Sequence, residues 1–573
     1  MKLVRLALAI VSPLVVLFAG LLSFHERTSP AVAVAQRDSS LPSASLRTGP
    51  TVAQNDNVQK GDSLIAQEDW PPQYENLSSS RSNSVYADMG AIEVGGQKVL
   101  VAAWTEGVGE DRVSGSIKMR WRFEGGEWMT VPRTHLPQGN DQEKYSYPAL
   151  ALHRSADNSS VQAHVVWLKQ YGDYMWVQYG LYTLTAAAST FSGFETASSD
   201  QEEFKTLTLA APDIALNDDG CPHVVWTMLD PSKPAGDPTR SQVYYNNKCG
   251  GSWGNGGQGW AIAGGQEKDN PVVAVRGNDA IYVAWEDNGS QPGIQVARRT
   301  GAGSGSGGWS AAERISNYLE DDLPSIAVDT IATDGVYRVY VMWQRWIEQD
   351  PYAAPPYAAY ALSYRVFTGT LLADHWWPGG EDINQCASVF TSTTHTPDLA
   401  GDEFYLGLRP SIAAVNRTLH VVYQYDSEYT DDGGIGGGDL AIPSEMASGE
   451  LAGGVRPSDE GLVKDFKVVY AYASHRYVPS KVGWITKPIT MAWVSYYEKE
   501  PVFTNPSLAV IPGDDYPHIA LQKRFAVPAQ SGNYGWDVWY ANGKDFPYDP
   551  GEDPACPDGP CPVYLPALFK SYY

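Results

Sequence analysis

A chain of 573 residues with 66 Asp and Glu against 41 Lys and Arg carries a formal charge of −25, which repels phosphate backbones and anionic lipid and argues against nucleic acid as a partner. Only 19% of the residues are charged, while Gly (55), Tyr (34) and Trp (19) are abundant. That balance excludes a helical or disordered protein and points to short, aromatic-rich strands joined by tight turns. At the N-terminus, Lys2 and Arg5 precede an apolar run from Leu6 to Phe24, and small residues follow between Ser29 and Ala35. This is the pattern of a secretory signal over residues 1–35, so a secreted or cell-surface protein is expected; it meets a membrane only if that segment stays uncleaved. Residues 36–62 are rich in Ser, Gln, Asn and Thr and read as a flexible leader.

From there a repeat runs along the chain. Its first element is Pro, one residue, an aliphatic and usually Ala: Pro148-Ala-Leu-Ala151, Pro212-Asp-Ile-Ala215, Pro271-Val-Val-Ala274, Pro324-Ser-Ile-Ala327, Pro410-Ser-Ile-Ala413 and Pro506-Ser-Leu-Ala509. A Gly- or Asp-containing turn follows, then a strand ending in a large side chain: His164-Val-Val-Trp167, His223-Val-Val-Trp226, Tyr282-Val-Ala-Trp285, Tyr340-Val-Met-Trp343, His420-Val-Val-Tyr423 and the weaker His518-Ile-Ala-Leu521. A copy without the Pro runs from Ala87-Asp-Met-Gly-Ala91 to Val101-Ala-Ala-Trp104, making seven. Pro at the start of a strand loses no ladder bond, Asp-Gly turns suit hairpins, and alternation buries one face. Third strands such as Val243-Tyr-Tyr245 and fourth strands near Gly-Gly-x-Trp turns complete a four-stranded unit. The expectation is an all-β chain: a β-propeller of seven four-stranded blades over 63–545, with six or eight as the neighbouring counts. Ser63-Leu-Ile-Ala66 is the expected closing strand of the last blade.

Five cysteines occur. Cys221 and Cys249 fall in one repeat, where antiparallel pairing would bring them together as a disulfide. Cys556 and Cys561 flank a turn in the tail, residues 546–573, and form the second expected bridge, leaving Cys386 over. No Cys/His spacing of metal type is present. The repeated histidines share a position that also accepts Tyr and Val, so they read as packing residues, as do the repeated tryptophans.

The recurrence of Pro-x-Ile-Ala, His-Val-Val-Trp, a Tyr-containing strand and Gly-Gly-x-Trp resembles secreted bacterial β-propellers of the sialidase-like superfamily, over about residues 82–545. The resemblance implies a blade rather than an activity. The group's Asp-box, Ser-x-Asp-x-Gly-x-Thr-Trp, survives only in degenerate fragments such as Gly250-Gly-Ser-Trp253. The Phe-Arg-Ile-Pro sequence that carries the first catalytic arginine of sialidases is absent.

Function is therefore sought where the copies differ. Three long insertions, Gln344–Ala359, Leu371–Leu408 and Gln424–Lys464, fall in connections expected on one face. Trp346, Tyr352, Tyr357, Trp376 and Trp377 offer flat faces for sugar rings, Arg345 and Arg409 could grip a carboxylate, and Asp426 supplies an acceptor for hydroxyls. Calcium is the one cation that the acidic stretch beginning at Asp426 would suit; no other cofactor is implied. The reading is a secreted, monomeric propeller that recognises a glycan or cell-surface component without catalysis. An alternative is a sialidase-like glycoside hydrolase with Tyr425, Glu428, Arg345 and Arg409 as its candidates. A second is an envelope-associated scaffold for protein interaction.

Overall fold

The computed structural model describes residues 75–542 with interruptions, the longest at 199–207, 330–336, 378–386, 389–405, 427–465, 475–484 and 490–502. The described strands form seven antiparallel blades of four strands each, with two further short strands, Thr208–Leu209 against the second strand of blade 3 and Ala387–Ser388 against the third strand of blade 5. From the inside outward, blade 1 is Ser84–Val94, Gln97–Gly107, Gly115–Phe123 and Met129–Thr130, and blade 2 is Glu143–Arg154, Val161–Tyr171, Tyr174–Leu184 and Ser189–Thr196. Blade 3 is Asp213–Leu216, Pro222–Leu229, Ser241–Asn247 and Trp260–Gly265, and blade 4 is Lys268–Arg276, Ala280–Asp287, Gly293–Thr300 and Glu313–Arg314. Blade 5 is Asp321–Val328, Tyr337–Asp350, Tyr357–Gly369 and Asp374–Trp377, and blade 6 is Leu406–Val415, Thr418–Asp426, Phe466–Ser474 and Ile485–Ile489. Blade 7 takes Phe503–Ala509, His518–Ala526 and Tyr534–Asn542 from the end of the repeat and Glu75–Asn76 from its beginning.

The ring thus closes with a strand from the front of the chain, as expected, but the strand is Glu75–Asn76. Residues 63–66 lie outside the described residues. Closure is secured by side chains: Asn76 Nδ2 donates to Asp537 Oδ2 at 2.9 Å and Ser78 Oγ to Asp537 Oδ1 at 2.6 Å. Leu77 between them is fully buried.

Each blade-to-blade seam has its own apolar cluster, and the large residue that ends the second strand sits in the cluster shared with the preceding blade. Trp104 packs with blade 7, Trp167 with blade 1, Trp226 with blade 2, Trp285 with blade 3 and Trp343 with blade 4. Tyr423 and Leu521 do the same at the last two seams. The histidines three residues earlier on the same strand are buried core residues held through Nδ1. His164, His223, His420 and His518 each share a hydrogen bond of 2.7–2.9 Å with a tyrosine on the third strand: Tyr179, Tyr245, Tyr470 and Tyr540 respectively.

The repeated proline departs from its expected place. It lies inside the inner strand, because the ladder runs on for several residues before it. Pairing slips around it in five blades, for example between Ser146 and Ala149 and between Asp322 and Ser325, and around Ala87 at the same position in blade 1; in blade 3 Pro212 directly precedes Asp213–Leu216. The bulge lifts Pro out of the ladder, so its missing N–H costs no bond. The residue after Pro then reaches sideways. Asp88 Oδ2 accepts the Leu150 N–H of blade 2 at 2.7 Å, and Asp213 Oδ2 accepts the Val273 N–H of blade 4 at 2.7 Å. Ser325, Ser411 and Ser507 accept the N–H groups of Ile412, Leu508 and Met89 in the same way. Five of the seven seams are stitched by this one position, and blade 2 (Ala149) and blade 4 (Val272) lack the side chain to do it.

Candidate functional site

The bulges all face the axis of the ring. The residue before Pro sits in the left-handed region in four blades, at Tyr147 (φ 53°), Asn270 (φ 47°), Leu323 (φ 49°) and Asn505 (φ 46°), and Tyr86 (φ 54°) does so in blade 1. Such a conformation costs a non-glycine residue on the order of 1–3 kcal/mol and persists only where surroundings enforce it. Together with Pro148, Pro212, Pro271, Pro324, Pro410 and Pro506, these residues line a cavity of about 310 Å³ at the axis. The rings of Tyr86 and Tyr147 lie 4.2 Å apart on one side of it, and the Tyr86 hydroxyl has no partner among the described residues. Asn270 and Asn505 supply amides, of which the Nδ2 groups are engaged by Glu286 (3.0 Å) and Gln522 (3.0 Å).

Charge around the cavity is muted by burial. Desolvation pushes the Asp213 carboxyl up to about 7 and Asp269 to about 6. Glu286 rises to about 7 through desolvation first and the neighbouring Asp269 charge second. Glu286 and Asp269 are direct cross-strand partners, and the Leu323 N–H of blade 5 also donates to Glu286. Burial thus favours the neutral form of these carboxyls.

The second feature on this face belongs to blade 2. In blade 2 the second and third strands meet at the end where the inner strand begins, since Glu143 pairs with Tyr171 and Tyr171 with Tyr174. Register pairs Tyr171 with Tyr174, Lys169 with Trp176, and Tyr145 with Lys169. Alternation places all five side chains on one face of the blade. Tyr171 is exposed, at 44%, and Tyr174 and Trp176 are half-buried. Lys169 Nζ lies 5.3 Å from the Trp176 ring and 5.6 Å from that of Tyr145, and is held by Glu143 Oε1 at 2.9 Å. The result is a row of flat aromatic faces beside one cation–carboxylate pair. Sequence reasoning missed it because attention went to long insertions. Three aromatics at period two around Gly172-Asp173 were the available signal.

The residues expected from sequence are placed as follows. Within Gln344–Ala359 the ladder of blade 5 continues through Arg345↔Ala361 and Trp346↔Tyr360 to Asp350↔Tyr357, and residues 351–356 lie outside the described residues. Arg345 is buried, with its guanidinium fork on both oxygens of Asp321 at 2.7 Å, so its donors are used inside the blade. Trp376 is a correction. It is 4% exposed in the outer strand of blade 5, packed 5.3 Å from Phe367, and is core rather than a sugar platform. Its neighbour Trp377 pairs in backbone register with Val366. In blade 6 the backbone brings Arg409, Tyr425 and Asp426 to the same end of the sheet, with Gly407 opposite Tyr425 and Leu406 opposite Asp426. Tyr352, Glu428, Cys386, Cys556 and Cys561, with the leader and tail, lie outside the described residues. Cys221 and Cys249 form the expected disulfide, with Cα atoms 4.9 Å apart. That bond is consistent with an extracellular, oxidising compartment. Among the described residues no helix is long and apolar enough to cross a membrane.

No protein-family model and no curated protein matches the sequence. Among solved structures the chain is similar to a lectin from Burkholderia pseudomallei, with 13% identity over 79% of this chain and 98% of that one and a TM-score of 0.38. It is also similar to the Trypanosoma rangeli sialidase, with 8% identity over 61% of this chain and 53% of that one and a TM-score of 0.34. A third likeness is to an α-L-arabinofuranosidase from Fusarium graminearum, with 10% identity over 70% of this chain and 93% of that one and a TM-score of 0.33.

Proposed function

We propose that the protein is an extracellular recognition propeller that binds a glycan across the face where its inner strands begin. The observation that carries this reading is the aromatic row of blade 2. Sugar rings present an apolar face of C–H groups and an equatorial belt of hydroxyls. A flat Tyr or Trp face takes the first, and a flanking Lys–Glu pair takes the second by hydrogen bonding. The axial cavity deepens the same surface with two tyrosines, two amides and the Asp213 carboxyl, whose charge burial disfavours, which suits an uncharged ring. The strand ends carrying Trp346, Tyr357, Arg409 and Asp426 lie toward this face by backbone register and extend the proposed contact zone, whereas Trp377, opposite Val366, lies toward the other end of blade 5.

The test is binding of the full chain to a glycan array, followed by titration with the best ligand. Replacing Tyr171 and Trp176 together with Ala should weaken binding at least about tenfold, the loss of some 1.4 kcal/mol or more, with the circular dichroism spectrum unchanged. Equal binding by that variant overturns the assignment of the site. Hydrolysis of a fluorogenic sialoside by the natural chain, lost in Arg409→Ala, would replace it with the glycoside-hydrolase reading and move the centre to blade 6.

A further inference from the structure

The four buried His–Tyr pairs provide an internal comparison. In blades 2, 3, 6 and 7 the imidazole Nδ1 meets a tyrosine hydroxyl at 2.7–2.9 Å. Only blade 3, among the described residues, adds two cysteines to that column. Cys221 precedes His223 by two residues, and Cys249 follows its register partner Asn247 by two. His223 and Tyr245 share one face of the sheet by alternation, and Cys221 and Cys249, just beyond the ends of Pro222–Leu229 and Ser241–Asn247, are joined beside them by their disulfide. One ligand atom from each of Cys221, His223 and Cys249 lies within 4.8 Å of the others, and His223 Nε2 stands 3.7 Å from Cys249 Sγ.

We propose that reduction of the Cys221–Cys249 disulfide converts this column into a site of two thiolates and one imidazole for a zinc-class divalent cation. Tetrahedral zinc, with Zn–S near 2.3 Å and Zn–N near 2.0–2.1 Å, separates a sulfur from a nitrogen ligand by about 3.6 Å and two sulfurs by about 3.8 Å. The nitrogen–sulfur spacing already matches, and side-chain rotation is enough to part the two sulfurs. Ligation uses the tautomer in which His223 Nδ1–H donates to Tyr245 Oη, leaving the Nε2 lone pair toward the sulfurs. A fixed outer partner of this kind is what metal-binding histidines employ. The Tyr245 hydroxyl is itself held by Arg299 NH1 at 3.3 Å. Cys221 is buried and Cys249 half-buried, so the cluster opens outward on the Cys249 side, where water can take the fourth position.

The chemistry balances with a thiol or phosphine reductant. The disulfide takes two electrons from the reductant and two protons from solvent to give two thiols. Binding of M²⁺ then releases those two protons and leaves a neutral metal–dithiolate unit. Disulfide and metal exclude one another, so oxidation expels the ion.

The experiment uses the full chain with Cys386, Cys556 and Cys561 replaced by Ser, reduced with a phosphine and kept free of oxygen. Titration with Co²⁺ should give a thiolate-to-metal charge-transfer band that saturates at one ion per chain and disappears on adding Zn²⁺, with no band before reduction. His223→Phe should weaken Co²⁺ binding at least about tenfold, while His164→Phe, the matching change in blade 2, should leave it alone. Absence of the band in reduced protein, or an unchanged band in His223→Phe, overturns the proposal. Should reduction loosen the blade, alkylation read by mass spectrometry decides: Zn²⁺ must shield Cys221 and Cys249 from iodoacetamide in a His223-dependent way, and equal labelling with and without Zn²⁺ overturns it.

Discussion

The residue after the repeated proline is the smallest part of this protein with a consequence for the whole ring. In Pro410-Ser-Ile-Ala413 the serine looks like filler between a strand opener and an aliphatic anchor. Its hydroxyl in fact accepts the Leu508 N–H of the next blade at 3.1 Å, joining the inner strands of blades 6 and 7. Where the stitch is missing, compensation is local: at the seam from blade 2 to blade 3 the Ile214 N–H turns back to its own neighbour, Asp213 Oδ1, at 2.9 Å. Ser411→Ala has no such recourse and leaves a buried donor unpaired. It should lower stability by about 1–3 kcal/mol in equilibrium unfolding, and a change near zero would mean water replaces the hydroxyl. The serine was visible in three copies of the sequence and aspartate in two. Its role was not, because it depends on a neighbour about 60 to 100 positions away, brought alongside only by the ring.

At the level of strands, periodicity carried most of the fold. Alternation and the large residue closing each second strand identified seven units, since every unit buries the same face against its predecessor. The proline was legible as a strand feature but not as a bulge, because a bulge is a relation between two strands and leaves no mark in one. Length misled in blade 5, where residues 344–350 and 357–359 continue the ladder, and Trp376 was mistaken for a platform because the outer strand there lacks the Gly-Gly-x-Trp turn of its siblings. Closure was misplaced by about ten residues for a similar reason: Glu75–Asn76 is too short to show a period, and its hold comes from Asn76 and Ser78 on Asp537 and from the Glu75–Arg122 ion pair at 2.5 Å. A chain beginning at residue 71 should therefore melt like the full-length protein. One beginning at 79 exposes the edge of Tyr534–Asn542 and should melt several degrees lower and be cut faster by protease in blade 7. Equal melting of the two chains would show that Glu75–Asn76 contributes nothing to closure.

Across the whole molecule, buried titrating groups pull stability in opposite directions with pH. Desolvation holds His164, His223 and His420 down to about 3, whereas in the unfolded chain they titrate near 6.5. Below about 6.5 the unfolded state takes protons that the native state refuses, so this contribution is complete above that pH and is lost as pH falls. Asp213, Glu286 and Asp269 behave oppositely. Raised to about 7, 7 and 6, they keep protons in the native state that the unfolded chain releases near 4. Their contribution is complete below about 4 and is lost as pH rises toward 7. Asp88, raised by burial as well, joins the carboxyls, so the two groups oppose each other between about 4.5 and 6; stability is expected to be highest in that range or at its acidic end, with a decline above about 6 from the carboxyls and another below about 4 from the histidines. Melting temperatures from pH 3 to 9 at constant ionic strength measure this directly. Asp213→Asn, which retains an oxygen to accept the Val273 N–H, should flatten the upper decline and leave the lower one in place. A melting temperature that climbs steadily from pH 5 to 8 in the natural chain would show that the mouth carboxyls are ionised in the folded protein, and with that the neutral lining invoked for an uncharged sugar would fall.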